Sequence, residues 1–187
     1  MTTNWLAGIL VGGLLICAAS PSMAQDKGQT AAAELASTSQ AALQQLAGSV
    51  PLAKALIPTA HAILVFPKVT KAGLGIGGQY GEGALLKDGT AVGYYKTTGA
   101  SFGMQAGGQQ YGYAMLFMDA KALEQLDNAK GFEVGVGPSV VLVDEGMAKT
   151  TTTTTLKDDI YAFVFGQKGL MAGLGIQGNK ITKITPK

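Results

Sequence analysis

Between residues 73 and 83 glycine alternates with larger residues, in the stretch GLGIGGQYGEG. Every odd position is glycine except Gln79, whereas the even positions include Leu74 and Ile76. Side chains of a strand point alternately to its two faces, so a strand here has one face of almost bare backbone. Such a face lets a helix, another strand or a ligand approach the backbone closely. The stretch therefore predicts a closely packed sheet.

The same glycines spell G-x-G-x-x-G, the phosphate-binding turn of dinucleotide-binding domains, and the motif recurs within residues 173–178. That turn needs a strand before it and a helix after it. QYGEGALLKDG, which follows the first copy, has three glycines and lacks the apolar period of a helix. Nine residues follow the second copy, too few for a βαβ unit. We therefore predict that neither copy binds a nucleotide.

The start of the chain has the pattern of an export signal. Residues 5–19 are apolar without a break, and Ser20-Pro21-Ser22 and Ala24 follow. This order is typical of a secretory signal peptide cleaved after Ala24, and the run is shorter than the roughly 20 residues of a membrane-spanning helix. The alternative is a lipoprotein in which Cys17 carries the lipid. We predict a signal peptide over residues 1–24, a tether over residues 25–30 and one domain over residues 31–187.

Composition argues against several functions. The chain has 14 Lys, no Arg and 12 acidic residues, for a net charge of +2. With positive and negative charges so nearly balanced, the protein has no large electrostatic field that would attract nucleic acid. Without Arg it can make no bidentate phosphate contacts. One His and one Cys are too few for a metal site. We therefore predict no nucleic-acid partner, no metal and no cofactor.

One short motif suggests a nucleophile. Residues 99–103 match G-x-S-x-G, which in hydrolases places a serine on a sharp turn between a strand and a helix. The residues after Ser101 are not helical in pattern, and the single histidine, His61, precedes the serine instead of following it. We therefore predict no catalytic residue and no enzymatic activity.

The remaining pattern predicts an α+β fold. Helix formers fill residues 31–47, residues 50–60 suggest a shorter helix, and Asp119 is a good N-cap for a helix over residues 120–129. Asp88-Gly89 is a hairpin signal. We expect the N-terminal helices and the internal helix to pack on a strongly bent, mostly antiparallel sheet or small β-barrel. The predicted strands are residues 61–66, 73–84, 91–96, 100–107, 111–118, 132–143, 150–156, 160–165 and 170–184.

Four segments, taken in order, resemble the SYLF domain family. They are IPTAHAILVFPKVTKAGLGIGGQYGEGALL, TGASFGMQAGGQQYGYAMLFM, AKGFEVGVGPSV and DDIYAFVFGQKGLMAGLGIQG, and they cover most of residues 57–178. The family includes yeast actin-patch proteins that pair the domain with an SH3 domain, and many exported bacterial proteins. The resemblance implies a domain without an active site that binds membrane phospholipids, which are phosphoinositides in eukaryotes. Some eukaryotic members also bind actin.

For this chain the resemblance implies a phospholipid-binding module of the bacterial cell envelope, in the periplasm, at the periphery of the outer membrane or outside the cell. The expected partner is an anionic phospholipid or membrane surface, and not actin, which an exported bacterial protein would not normally meet. Lys68 and Lys71 flank the first glycine stretch and Lys168 precedes the second. We expect these three lysines to share one rim that meets lipid phosphate. The alternatives are an integral outer-membrane β-barrel, of which alternating strands are typical, or a structural envelope protein.

Overall fold

The computed structural model describes residues 23–126, 132–133, 140–143, 158–169 and 179–187. Most of the predicted signal peptide, the predicted strand at 150–156 and the second glycine copy at 173–178 lie outside the described residues. The elements are helices α1 (Met23–Ser49), α2 (Pro51–Leu56) and α3 (Ala120–Glu124), a 3₁₀ turn (Ile57–Thr59), and strands β1 (Ala62–Lys87), β2 (Thr90–Phe117), β3 (Phe132–Glu133), β4 (Val140–Val143), β5 (Ile160–Gly169) and β6 (Lys180–Ile184).

A single long hairpin of β1 and β2 is the frame of the fold. The two strands are antiparallel from the pair Ala62 and Phe117 to the pair Lys87 and Thr90. Asp88 (φ 50°) and Gly89 (φ 77°) form the turn between them. Positive φ at both positions is the geometry of a type I′ turn, which Asp-Gly favours because glycine carries no Cβ penalty there. The predicted hairpin turn is therefore confirmed.

Strand β2 lies in the middle of the sheet. One of its edges pairs with β1 along most of its length, and the other edge pairs first with β6 (residues 94–98) and then with β5 (residues 109–117). Strand β3 extends the sheet beyond β6, and β4 runs parallel to β5. Among the described residues the sheet is not closed into a ring. The α+β class, with helices on a bent and mostly antiparallel sheet, is confirmed.

Strand β1 folds back on itself at its glycines. A Cβ built at Gly81 would lie 2.9 Å from the carbonyl oxygen of Lys68, and one built at Gly83 would overlap the carbonyl oxygen of Val65. The second half of β1 therefore lies directly against the first half, at a distance that only glycine allows. The first G-x-G-x-x-G motif lies inside this continuous strand, with no helix after it.

The sheet carries a separate hydrophobic core on each face. The inner core lies within the bend of the sheet and includes Leu64, Phe66, Tyr95, Tyr113, Met115 and Phe117, with Ala122 of α3. The outer core joins α1 and α2 to the other face and includes Leu46, Leu56, Val65, Leu116, Phe163 and Phe165. Two hydrogen bonds also hold α1 on the hairpin: Ser39 Oγ donates to the Val65 carbonyl (3.3 Å) and Gln40 Nε2 to the Gly89 carbonyl (2.7 Å).

The predicted boundaries differ from the structure in several places. Helix α1 begins at Met23, earlier than predicted, and α3 ends at Glu124 although the pattern predicted a helix to residue 129. The strands predicted between residues 61 and 118 are parts of only two strands. No helix in the described part of the chain is both long enough and apolar enough to cross a membrane.

Candidate functional site

The structure brings two of the three predicted lysines together. Lys68 is on β1 and Lys168 is on β5, and both side chains are exposed. Strand β2 lies between these strands, where Gln110 is the register partner of both Thr70 and Lys168. Both lysines line one shallow pocket of about 200 Å³. Its other lining residues are Gln45, Pro67, Gln110, Tyr111, Gly112, Phe165 and Gly166.

Irregular backbone shapes this pocket. The β1–β2 ladder shifts register between Phe66 and Val69, around Pro67, and the β2–β5 ladder shifts between Gln110 and Gly112. Proline has no N–H to give to a ladder, so it is found at such bulges. Bulges bend a strand and change the direction of its side chains, and they are common beside functional sites. The pocket therefore lies where both ladders are interrupted.

Two glycines allow close packing in the wall of the pocket. A Cβ at Gly112 would lie 2.5 Å from the Phe165 ring, so the ring packs directly on the β2 backbone. Gly166 has φ 60°, which favours glycine. A Cβ there would lie 3.1 Å from Nε2 of Gln45 on α1. Strand β5 thus has a bulge between the buried Phe165 and the exposed Lys168.

Lys71 does not join this rim. Its side chain is only 2% exposed, and its register partner on β2 is the equally buried Gln109. Neighbouring positions of a strand face opposite sides of the sheet, so Thr70 and Gln110 are exposed while Lys71 and Gln109 point inward. The predicted rim of three lysines is therefore a rim of two, with Lys71 on the inner face.

A second depression adjoins the pocket along the sheet. Lys168 also lines a neighbouring depression of about 380 Å³ with Thr70, Gly108, Gln109 and Gln110. Two ammonium groups, the amides of Gln45 and Gln110 and the hydroxyl of Thr70 are suited to an anion, and none of the described residues lining either depression is acidic. A lysine meets a phosphate as a point charge with rotatable donors. The two ammonium groups make the arrangement fit an exposed phosphate group.

Sequence reasoning missed a polar cluster inside the bend of the sheet. The Tyr111 hydroxyl donates to Oε1 of the buried Gln79 (3.0 Å), and Thr97, Gln109 and Asn179 are also buried. Burial raises the pKa of Tyr111 to about 12, and burial also raises the pKa of Tyr113. The sequence held one signal of this cluster, since Gln79 is the exception among the glycines of its face.

Ser101 and His61, the other residues considered from the sequence, take part in the β1–β2 hairpin. Ser101 lies within β2, opposite Gly77, and not on a turn between a strand and a helix. The backbone N–H of His61 donates to the Phe117 carbonyl (2.8 Å) at the end of the hairpin. Within the described residues, no three His, Cys, Asp or Glu side chains lie close enough together to hold a metal ion.

Comparison with known families gives one match. The family described as Ysc84, Las17-binding protein actin regulator, matches residues 98–185. This is the SYLF family, and the match covers 88 of the 187 residues. The predicted resemblance is confirmed, and SYLF domains are related to lipid and actin functions. The SYLF match includes Gln110 and Lys168, whereas Lys68 and α1 precede it. No curated protein matches the chain.

Proposed function

We propose that the protein is a non-enzymatic module that binds anionic phospholipids at a membrane surface of the bacterial cell envelope. The observation that supports this most directly is the shared rim of Lys68 and Lys168, which come from distant parts of the chain and line one pocket. A lysine near an anionic membrane contributes about 1 kcal/mol. Two lysines give reversible attachment, weakened by salt because exposed charges are screened within about 10 Å at 0.1 M.

The shape of the site favours a headgroup that stays in its membrane. Both lysines are exposed, and their pocket is shallow and small, about 200 Å³. Sites that enclose a whole small molecule usually reach roughly 300–1,000 Å³. The pocket is therefore suited to a phosphate presented from outside, while the acyl chains remain in the bilayer.

Co-sedimentation with liposomes tests this proposal. The protein should sediment with phosphatidylglycerol vesicles and not with phosphatidylcholine vesicles, and high salt should release it. The double variant Lys68→Gln/Lys168→Gln should bind the anionic vesicles at least about tenfold more weakly. The matched control, Lys87→Gln/Lys180→Gln, removes two other exposed lysines and should bind within about twofold to threefold of the unchanged protein. Equal weakening by both pairs would mean that net charge, and not this pocket, attracts the membrane.

The proposed location rests on the signal-peptide pattern of residues 1–24. Protein isolated from its native host should have the intact mass of a chain that begins at Gln25. An exported bacterial protein would not normally meet actin, so we propose no actin partner for it. A mass that retains Cys17 with added acyl chains would instead make the protein a lipoprotein, held in the membrane by its own lipid.

A further inference from the structure

A second and larger groove lies at the other end of α1. Ala32 lines this groove and Gln45 lines the lysine pocket, so the two are about 20 Å apart along a helix that rises about 1.5 Å per residue. The groove has a volume of about 930 Å³. Three segments line it: the start of α1 (Lys27, Gly28, Gln29, Ala32), the start of β2 (Ala91, Val92, Gly93, Tyr94), and the last residues of the chain (Lys183, Ile184, Thr185, Pro186, Lys187).

Close packing fixes two of these walls. A Cβ at Gly28 would lie 3.3 Å from the carbonyl oxygen of Pro186, so α1 lies directly against the C-terminal segment. Pro186 is buried. Tyr94 and Ile184 are register partners in the β2–β6 ladder. The groove is thus built on hydrogen-bonded strands and a packed helix, which favours a preformed site.

The inside of the groove is mostly apolar. Val92, which lines it, is 56% exposed, and among the described residues only Val92 and Tyr80 are large hydrophobic side chains that remain exposed. Tyr94 and Ile184 are half-buried. Leaving Val92 in water costs free energy that an apolar ligand would recover. The volume lies within the roughly 300–1,000 Å³ of small-molecule sites.

The charged side chains that line the groove have one sign. Lys27, Lys183 and Lys187 are exposed and belong to its lining, and none of the described lining residues is acidic. The Lys183 ammonium lies 5.9 Å from the centroid of the Tyr95 ring, which leaves Lys27 and Lys187 as the cations to test. An apolar groove with ammonium groups complements a molecule that has an acyl chain and an anionic head.

We propose that this groove binds one single-chain anionic amphiphile, a long-chain fatty carboxylate or a lysophospholipid. The acyl chain would lie against Val92 and Tyr94, and the anionic head would lie near Lys27 and Lys187. This site does not depend on the lysine pocket. The pocket meets headgroups of an intact bilayer, whereas the groove takes up a single molecule from solution.

Titration with dansyl-undecanoic acid, without vesicles and below its micelle concentration, tests the apolar part of the site. The dansyl emission should shift to the blue and saturate at one probe per protein. Val92→Gln removes the exposed apolar side chain and should weaken binding by about tenfold. Tyr80→Gln is the matched control, because Tyr80 is 50% exposed and lies outside the groove, and it should leave binding unchanged. Absence of saturable binding, or equal effects of the two variants, would overturn the proposal.

The charged part of the site has its own test. Lys27→Gln/Lys187→Gln should weaken probe binding by about fivefold or more, and Lys68→Gln/Lys168→Gln should not change it. The methyl ester of the probe should bind more weakly than the acid. Competition by palmitate or by lysophosphatidylglycerol then identifies the source of the anionic head. If the ester bound equally well, or if the free protein were a dimer that Val92→Gln dissociates, the groove would be an apolar or self-association surface. Loss of liposome binding in the earlier experiment leaves these outcomes unaffected.

Discussion

Gly83 shows at the residue scale how an absent side chain allows the sheet to bend. A Cβ at this position would overlap the Val65 carbonyl oxygen and would lie 2.7 Å from the Phe66 ring. Gly83→Ala should therefore destabilise the fold by about 1–3 kcal/mol through overpacking, measured by urea denaturation. Gly48, exposed near the end of α1, has no atom within 4 Å of its built Cβ. Gly48→Ala should stabilise by up to about 1 kcal/mol. A Gly83→Ala protein of unchanged stability would contradict the close approach.

Tyr111 makes folding sensitive to alkaline pH. Burial raises its pKa in the folded protein to about 12, above the value of about 10 for an exposed tyrosine. The folded state therefore holds this proton more tightly, so the stabilisation is complete below about pH 10 and is lost as the pH rises through about 12. Denaturation at several pH values should show this fall, and Tyr111→Phe should fall less steeply over the same window. Identical slopes for the two proteins would contradict the assignment.

The position of Lys71 could have been predicted from the sequence, although that of the pocket could not. Lys71 lies three residues after Lys68, and in a strand an odd spacing places two side chains on opposite faces. The bulge around Pro67 is a feature of the ladder, and no single-strand pattern shows it. Lys168 comes close to Lys68 only because both strands flank β2, a pairing that depends on long-range register. The sequence was therefore sufficient to separate Lys71 from Lys68, but not to predict that Lys68 and Lys168 line one pocket.

At the scale of elements, α3 depends on its N-cap. Asp119 has extended backbone angles, and its side chain accepts a hydrogen bond from the Ala122 N–H (2.7 Å), as the sequence predicted. Asp119→Ala should cost about 1 kcal/mol, because α3 places Ala122 in the inner core. Asp119→Ser keeps an acceptor oxygen and should cost less. Thermal denaturation compares the two variants, and equal losses would show that the cap contributes little.

The long hairpin explains why several predicted strand boundaries were wrong. Pro67 and the glycines at 73–83 are typical interruptions of a strand, and the pattern therefore predicted separate short strands. In the structure the chain passes these positions with register shifts, at Phe66/Val69 and at Leu74/Ile76, and the ladder then continues. A bulge adds a bend without ending a strand. The sequence marks these positions as irregular, but only pairing with β2 decides whether the strand ends or bends there.

At the scale of the whole molecule, the two cores share one sheet. Strands β1, β2 and β5 send alternate side chains to the inner and outer cores: Leu64, Met115 and Ala162 are inside, whereas Val65, Leu116 and Phe163 meet the helices. A substitution that disrupts packing on one face should therefore disturb the strands that form the other face. The alternating pattern predicted an α+β fold, and the unbroken apolar run of residues 61–66 predicted a buried strand at the start of the hairpin, which the structure confirms.

Leu46 of α1 tests whether these cores unfold together. Its side chain is fully buried in the outer core, so Leu46→Ala should lower the free energy of unfolding by about 2–5 kcal/mol. The half-buried Leu43 is the matched control, and Leu43→Ala should cost less. Tyr95, Tyr111 and Tyr113 lie in the inner core and Tyr161 lies in the outer core, so near-ultraviolet circular dichroism reports tyrosine packing on the sheet, mostly on its inner side, while the far-ultraviolet signal includes α1. Because the strands are shared, Leu46→Ala should move both signals to the same lower urea midpoint, as expected for one cooperative unit. If the helical signal were lost first while the tyrosine signal kept its original midpoint, α1 would be a separable layer, and the sheet would be stable without it.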